Sequence, residues 1–454
     1  MAAAADPDDY RSRSLWLEGI PGPLTPRPAL EGDRDCDVAI VGAGFTGLWS
    51  AYYLKTLQPD LRVTVLEREI AGFGPSGRNG GFVIGGLVGP AAAFGLQGAA
   101  LEHAVRVTNA AVDEIGSVAR AEAIDCAYVK AGALSVATSA PQWQRLQAAH
   151  GDGRLLSAGE TEQMIAVPGL HGGRFTAQAA RIDPARLVRG LAEACERRGV
   201  TIHERTAALA IEPGRVACAA GTVRAETVVR ATESYTTQLR GQRMRYLPLY
   251  SLMIATEPLG EAVWSELRWP DGLLVDDVHY LFFYAQRTSD GRIAIGGRGA
   301  PYRLLSPIDV RNERNEHVRA RLVRGLHRAF PAAARARVTH HWGGPLAAPR
   351  DWSMSVSFDR ARGMVAAGGY TGHGVAASHL SGRTVADLIL GRDTDLVRMP
   401  WVGHRSRRWE PEPLRYLASK AIISTLGSAD RHEDRTGRRA RRVLAIRPFL
   451  PPRH

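Results

Sequence analysis

The period of apolar positions changes from stretch to stretch along this chain, and the changes mark its elements. Residues 37–41 form a short apolar run, which predicts a buried strand. Residues 48–57 place apolar side chains at helical spacing, and 62–66 is a second strand-like run. Together they predict one β-α-β unit. Helical spacing returns over 100–120, 141–149 and 158–165, with a strand at 131–137. Asp183 followed by Pro184 predicts a capped helix start, and that helix runs to Arg198, where Gly199 ends it. Strands at 200–204, 207–212 and 223–232 then resume the β-α-β pattern far downstream of its start. A strand-rich region opens at 247–257. Within it, strands at 279–284 and 292–297 flank the hairpin turn Ser289-Asp-Gly291. A helix over 312–330, a strand at 340–344, a strand at 364–369 and a helix from Val375 to Leu390 complete the pattern.

The predicted fold class is α/β. A discontinuous Rossmann-like domain takes residues 36–90, 176–237 and 351–400. An α+β substrate domain on a mixed or antiparallel sheet takes 91–175 and 238–350. Residues 1–35, polar and rich in proline, are expected to pack on the body as an arm, and 401–454 form a C-terminal extension.

Three glycine-rich turns carry the candidate chemistry. Gly42-Ala43-Gly44-Phe45-Thr46-Gly47 joins the first strand to its helix. In such a unit the first glycine allows a tight turn and the second lets the backbone approach a pyrophosphate. The third lets helix and strand pack closely, and the helix start attracts the phosphates. Glu67 ends the second strand, where an acid can hold a ribose. The unit alone leaves FAD and NAD both open. Ser76-Gly77-Arg78-Asn79-Gly80-Gly81 follows directly and is read as further cofactor contact. The third turn, Gly368-Gly-Tyr-Thr-Gly372-His373-Gly374, feeds the helix that begins near Val375. No acid follows it at ribose spacing. A helix start there favours developing negative charge such as that at a flavin N1–C2=O edge. His373 can donate at the same edge and is the catalytic candidate.

Composition changes this picture little. The chain has 454 residues, 45% hydrophobic and 23% charged, as an ordinary globular protein does. It has no apolar run long enough for a bilayer and no basic-then-apolar leader, so a cytoplasmic protein with no membrane partner is expected. Cys36, Cys126, Cys195 and Cys218 are scattered, and no zinc, disulfide, metalloprotease or serine-hydrolase spacing occurs. No metal site is expected. The net charge of +12 is concentrated toward the end, where residues 431–454 hold eight arginines; this stretch is read as a solvated tail rather than a nucleic-acid surface. The oligomeric state is not legible.

Taken together, these residues resemble the D-amino-acid oxidase-like FAD-dependent oxidoreductases, within them the γ-glutamylputrescine oxidase branch. The carriers are Gly42–Gly47 with Glu67, the Ser76–Gly81 run, Arg181-Ile-Asp-Pro184, Gly369-Tyr-Thr-Gly-His-Gly374 and Trp409-Glu-Pro-Glu-Pro-Leu414. The resemblance implies FAD between a Rossmann-like and a sheet-based domain. It implies oxidation of an amine C–N bond by hydride transfer to flavin N5, then imine hydrolysis, with O2 reduced to hydrogen peroxide. A flavin dehydrogenase, or an oxidase of an amino acid or 2-hydroxy acid, is the alternative.

Departures from the family narrow this expectation. Ala376 stands where sarcosine oxidase-like relatives carry a carboxylate-clamping lysine, and 82–86 reads FVIGG where they carry an arginine. A small amino acid is therefore the weaker substrate. The stretch 342–346 has no cysteine for a flavin linkage, so FAD is expected to be non-covalent. Arg230 and Glu233 stand where this fold usually has an apolar residue and a small one. No lysine lies between Lys130 and Lys420 to assist O2, leaving Lys130, an arginine or protonated His373. Candidate cofactor contacts beyond the glycine turns are Arg68, Ala208, Thr232, Gly344 and Val375. Candidate pocket residues are Tyr250, Tyr280, Phe282, Tyr284, Arg298 and Trp342, with the register around Gln286 and Arg287 ambiguous.

Overall fold

A computed structural model describes residues 10–149, 153–297, 299, 302–305 and 307–450. Two eight-stranded sheets dominate it. The first runs in the order Ser355–Asp359, Met364–Gly368, Gly221–Arg230, Arg34–Val41, Val63–Leu66, Thr201–His203. Every neighbouring pair along this path is parallel except Ser355–Asp359 with Met364–Gly368. Three separate stretches of chain thus feed one sheet. Strands such as Val63–Leu66 are buried along their whole length, as a parallel sheet covered on both faces requires. Helix Phe45–Leu57 crosses over the sheet and packs on helix Gly374–Ile389, where Gly382 lies directly against Trp49. A side chain at 382 would drive the two helices apart. That contact brings two chain segments more than three hundred residues apart to one end of the sheet.

The second sheet runs Val338–Ala348, Leu247–Thr256, Ile293–Gly297, Phe283–Arg287, Leu274–Asp277, Ala133–Ala137, Gly172–Thr176, Arg154–Ser157. It is antiparallel except where Leu274–Asp277 meets Ala133–Ala137. Val318, Leu322 and Leu326, at helical spacing on Glu316–Ala329, close one face together with Trp264, Trp269 and Phe330. The N-terminal arm docks through buried Tyr10, Leu15, Trp16 and Leu17, and the Trp16 indole N–H donates to the Asn79 carbonyl at 2.8 Å.

Two expectations need correction. The strand expected at 279–284 is Phe283–Arg287. Residues 278–282 are instead a loop pinned by carboxylates. Asp277 accepts the Phe283 N–H at 2.9 Å, and Asp430 accepts the N–H groups of Tyr280 and Leu281 at 2.8 and 2.9 Å. The C-terminal segment is also not a solvated tail throughout. Leu414–Thr436 is a helix, and Glu433, Ala440 and Val443 are buried. The apolar positions of 414–443 are diluted by arginine, so periodicity alone did not reveal the docked face.

Candidate active site

The strand Arg34–Val41 delivers Gly42 in a left-handed conformation, φ +109°, that glycine takes without strain. A Cβ there would stand 2.6 Å from the Ala231 carbonyl oxygen. Gly44 caps helix Phe45–Leu57 without a side chain, so the helix start keeps free N–H groups and its share of positive dipole. The Ser76 hydroxyl takes one of them, the Phe45 N–H, at 2.9 Å, and so ties the second glycine loop to the first turn. Gly47 lies against the Gly42 carbonyl, where any side chain would collide. Glu67 accepts the N–H of Ala43 at 2.9 Å and of Glu69 at 3.0 Å. Burial raises its pKa, and those two donors oppose the rise. Each carboxylate oxygen retains acceptor capacity for a hydroxyl.

The third turn arrives from the opposite side. Gly369 and Gly372 have φ of +86° and +104°. His373 caps helix Gly374–Ile389 without a side-chain bond to it, so this helix start is open as well. The Tyr370 and Thr46 hydroxyls meet at 2.8 Å, which locks the two turns together. Both turns and the Ser76–Gly81 loop line one cleft of about 550 Å³.

The structure brings most of the sequence-derived cofactor candidates to this cleft. Gly42, Gly44, Phe45, Thr46, Glu67, Arg68, Ser76, Arg78, Asn79, Gly80, Ala208, Thr232, Gly344, Gly372, His373, Gly374 and Val375 all line it. Ala43, Gly47, Gly77 and Gly81 stand behind the wall as supports. The Gly77 N–H donates to Gly72 at 3.0 Å, and the Gly81 N–H to the Asn79 side chain at 2.8 Å. Arg78 is fully buried, 2.6 Å from the Glu313 carboxylate and over the Phe73 ring. Burial alone would lower its pKa; Glu313 outweighs that and holds the guanidinium charged.

The pocket candidates divide. Phe282 and Tyr284 line the cleft, with the Tyr284 hydroxyl 2.8 Å from that of Ser251. Tyr250 and Tyr280 do not; they line a second cavity. Strand residues alternate faces, so Ser251 takes the position beside Tyr284 while the Tyr250 hydroxyl accepts the Asp309 N–H at 3.2 Å. Trp342 is corrected from pocket to core. It is 1% exposed, its indole N–H donates to the Arg78 carbonyl at 3.0 Å, and its ring packs edge-on against Trp16. Arg298 lies outside the described residues. Neither residue of the ambiguous pair points a cation at the cleft: Gln286 donates to the Gly80 carbonyl, and Arg287 stacks over Trp264 at 4.4 Å. Lys130 pairs with Asp113 at 2.7 Å and is not part of the cleft lining.

Two carboxylates outside the candidate site residues, Glu233 and Asp276, also line the cleft. Glu233 accepts the N–H groups of Gly369 and Tyr370 at 3.1 and 3.2 Å, which is how the fold accommodates a charge in place of a small residue. Burial pushes its pKa up to about 7, against the pull of those donors. Its departure from the small residue usual at this position was the available signal. Asp276 lies directly across the strand ladder from Tyr284, at the aromatic end of the cleft. Nothing in its local sequence set it apart.

A cleft with two open helix starts and the Glu67 carboxylate in its wall is shaped for a dinucleotide, and the residues present fit FAD. Comparison with known families agrees. The chain belongs to the DAO family of FAD-dependent oxidoreductases, whose model matches residues 37–388, and FAD is the cofactor that membership implies. It is 30% identical over 392 residues to the gamma-glutamylputrescine oxidoreductase of Escherichia coli (strain K12), covering 81% of this chain and 86% of that protein. It is 31% identical over 401 residues to the probable oxidoreductase OrdL of Rhizobium meliloti (strain 1021), covering 84% and 89%. Among solved structures, glycine oxidase from Geobacillus kaustophilus shares the fold with a TM-score of 0.67 at 20% identity, over 82% of this chain and 100% of that one. No helix among the described residues is long and apolar enough to cross a membrane.

Proposed function

We propose that the protein oxidises the C–N bond of a primary or secondary amine, with O2 as electron acceptor and hydrogen peroxide, an aldehyde and an amine or ammonia as products. Bound FAD would supply the hydride acceptor and the route for electrons to oxygen. The observation that carries the reading is the composition of the aromatic end of the cleft. Asp276 stands beside Tyr284 and shares the lining with Phe82 and Phe282, and no lysine lines the cleft. A carboxylate attracts an approaching ammonium, and aromatic faces attract a cation.

The remaining roles follow from position. Gly42, Gly44 and the helix start behind them hold the pyrophosphate, and Glu67 holds a ribose. The open helix start at His373, with the His373 side chain, faces developing negative charge on the ring system. Arg78 adds a buried positive charge to the wall. FAD is held without a covalent bond, since none of the four cysteines lines the cleft, and the free thiols accord with a cytoplasmic protein.

An oxygen-electrode screen of amines against amino acids, with a peroxide assay in parallel, tests this reading. Oxygen uptake with amines and equal peroxide supports it. Turnover of amino acids or 2-hydroxy acids alone contradicts it. The lysine-free lining also favours a second reading, a dehydrogenase that passes electrons elsewhere. Flavin bleaching by amines without oxygen consumption would select that one.

A further inference from the structure

A second cavity, of about 810 Å³, lies between the second sheet and the C-terminal segment. It adjoins the flavin cleft. Ser251 and Leu346 line both spaces, and the third glycine turn is the partition between them: Thr371 faces the back cavity while Gly372 and His373 face the cleft. Its floor is apolar, with Leu247 and Leu249 from the strand that also carries Ser251, and its roof carries Ile422, Leu426 and Val443. That roof lies beyond residues 37–388, the part of the chain that the family model matches.

The roof is fastened as a finished wall. Arg145 pairs with buried Glu433 at 2.6 Å, and Asp430 takes two backbone N–H groups of the 278–282 loop. His279 sits between Asp277 and Asp434, and Arg328 pairs with Asp434 at 2.8 Å. A cavity held open this way is preformed, and its size suits a small molecule. Its charge is one-sided. Arg145, Arg350, Arg415, Arg439 and Arg447 line it against Glu410 alone. Carboxylates pair the first three, whereas Arg439 and Arg447 are exposed with no carboxylate partner among the described residues.

We propose that the back cavity receives the apolar body of the substrate, an aryl group or long alkyl chain, while its amino end passes Ser251 and Leu346 to reach the flavin cleft. The inference rests on the amine-oxidation reading and narrows it to monoamines. An apolar chain loses water favourably against this lining, by an amount that tightens binding roughly threefold to fourfold per methylene. A second ammonium at the far end of a diamine would meet the like charge of Arg439 and Arg447, which is costly.

The test uses the FAD-loaded enzyme without oxygen. Flavin bleaching is titrated with propylamine, hexylamine, decylamine, 2-phenylethylamine and 1,4-diaminobutane. Tryptophan fluorescence is read in the same samples, because Trp352 and Trp409 line the cavity. Ala418→Phe and Ser419→Leu fill it from the roof; far-ultraviolet circular dichroism and FAD content establish that each variant is folded. Half-saturation is expected to fall at least tenfold from propylamine to decylamine, with the diamine weaker than hexylamine by a similar factor. Both variants are expected to weaken decylamine about tenfold and leave propylamine within twofold. Bleaching that is independent of chain length, or decylamine binding that neither variant changes, overturns this inference while leaving amine oxidation standing. Quenching by decylamine that both variants weaken, with no bleaching by any amine, keeps the apolar site and removes the amine-oxidation reading instead.

Discussion

The flavin cleft and the back cavity share a wall yet are made by different means. The cleft is built from backbone. Its decisive positions are glycines whose missing Cβ leaves room, and two helix starts whose N–H groups remain open. The back cavity is built from side chains on elements far apart in sequence, closed by ion pairs to the C-terminal helix. Backbone geometry constrains residue type tightly, because only glycine adopts these angles without strain. An apolar lining constrains it loosely, since leucine, isoleucine and valine exchange at small cost. The cleft therefore fixes the chemistry, and the cavity is free to set which molecule reaches it.

Substitutions separate the two regions, and the largest effect belongs to the backbone. Gly42→Val places a side chain against Ala231 at a φ of +109° and should weaken FAD binding by a hundredfold or more. Fluorescence titration of apoprotein with FAD measures this. Retained affinity would break the claim that the first turn grips the cofactor. Asp276→Asn should raise KM for amines about tenfold, equivalent to about 1.4 kcal/mol, with FAD content unchanged. Steady-state kinetics on equal holoenzyme concentrations decide it, and a change in kcat alone would assign Asp276 a different role. His373→Ala should slow flavin reduction several-fold while leaving amine half-saturation near its original value, as loss of an interaction made in the transition state does. Single-turnover traces separate the two quantities.

The smallest effect is a pH dependence at the seam between the turns. Glu233 has a native pKa of about 7 against an ordinary 4.5. The native protein thus keeps a proton that the unfolded chain releases. The stability this group contributes is complete below about pH 4.5 and is lost as pH rises through about 7. Glu233→Gln should flatten that part of the apoprotein Tm profile, and an unchanged slope between pH 5 and 7 would show the charge is compensated elsewhere. His279 works in the same direction at higher pH. Burial would lower its pKa, but Asp277 and Asp434 outweigh that and hold it near 10. Its support of the C-terminal roof is complete below about 6.5 and fades as pH climbs toward 10.

Legibility in the sequence followed the same division. The β-α-β unit, the Asp183–Pro184 helix start and all three glycine turns could be read because each rests on a local rule with few acceptable residues. The meeting of the first and third turns needed the sheet, since Gly42 and Gly372 come together only through parallel strands and the close contact of Gly382 with Trp49. The pocket residues were harder. Tyr250 is expected in the cleft because an aromatic residue in a strand carries no mark of which face it takes, and Tyr280 because the strand expected at 279–284 begins only at Phe283. Trp342 is expected in the pocket, whereas its indole serves as core around the arm. Asp276 and the docked C-terminal helix had no local pattern to announce them; their roles arise from partners in other elements.

The central claim is that an amine delivers its electrons to the flavin held between the two turns. Anaerobic mixing of the holoenzyme with a monoamine, followed at the oxidised-flavin band near ~450 nm, tests it most directly. The account predicts bleaching that rises with amine concentration and colour that returns with peroxide when air is admitted. A flavin that stays oxidised with every amine, yet bleaches with an amino acid or a 2-hydroxy acid, would contradict it.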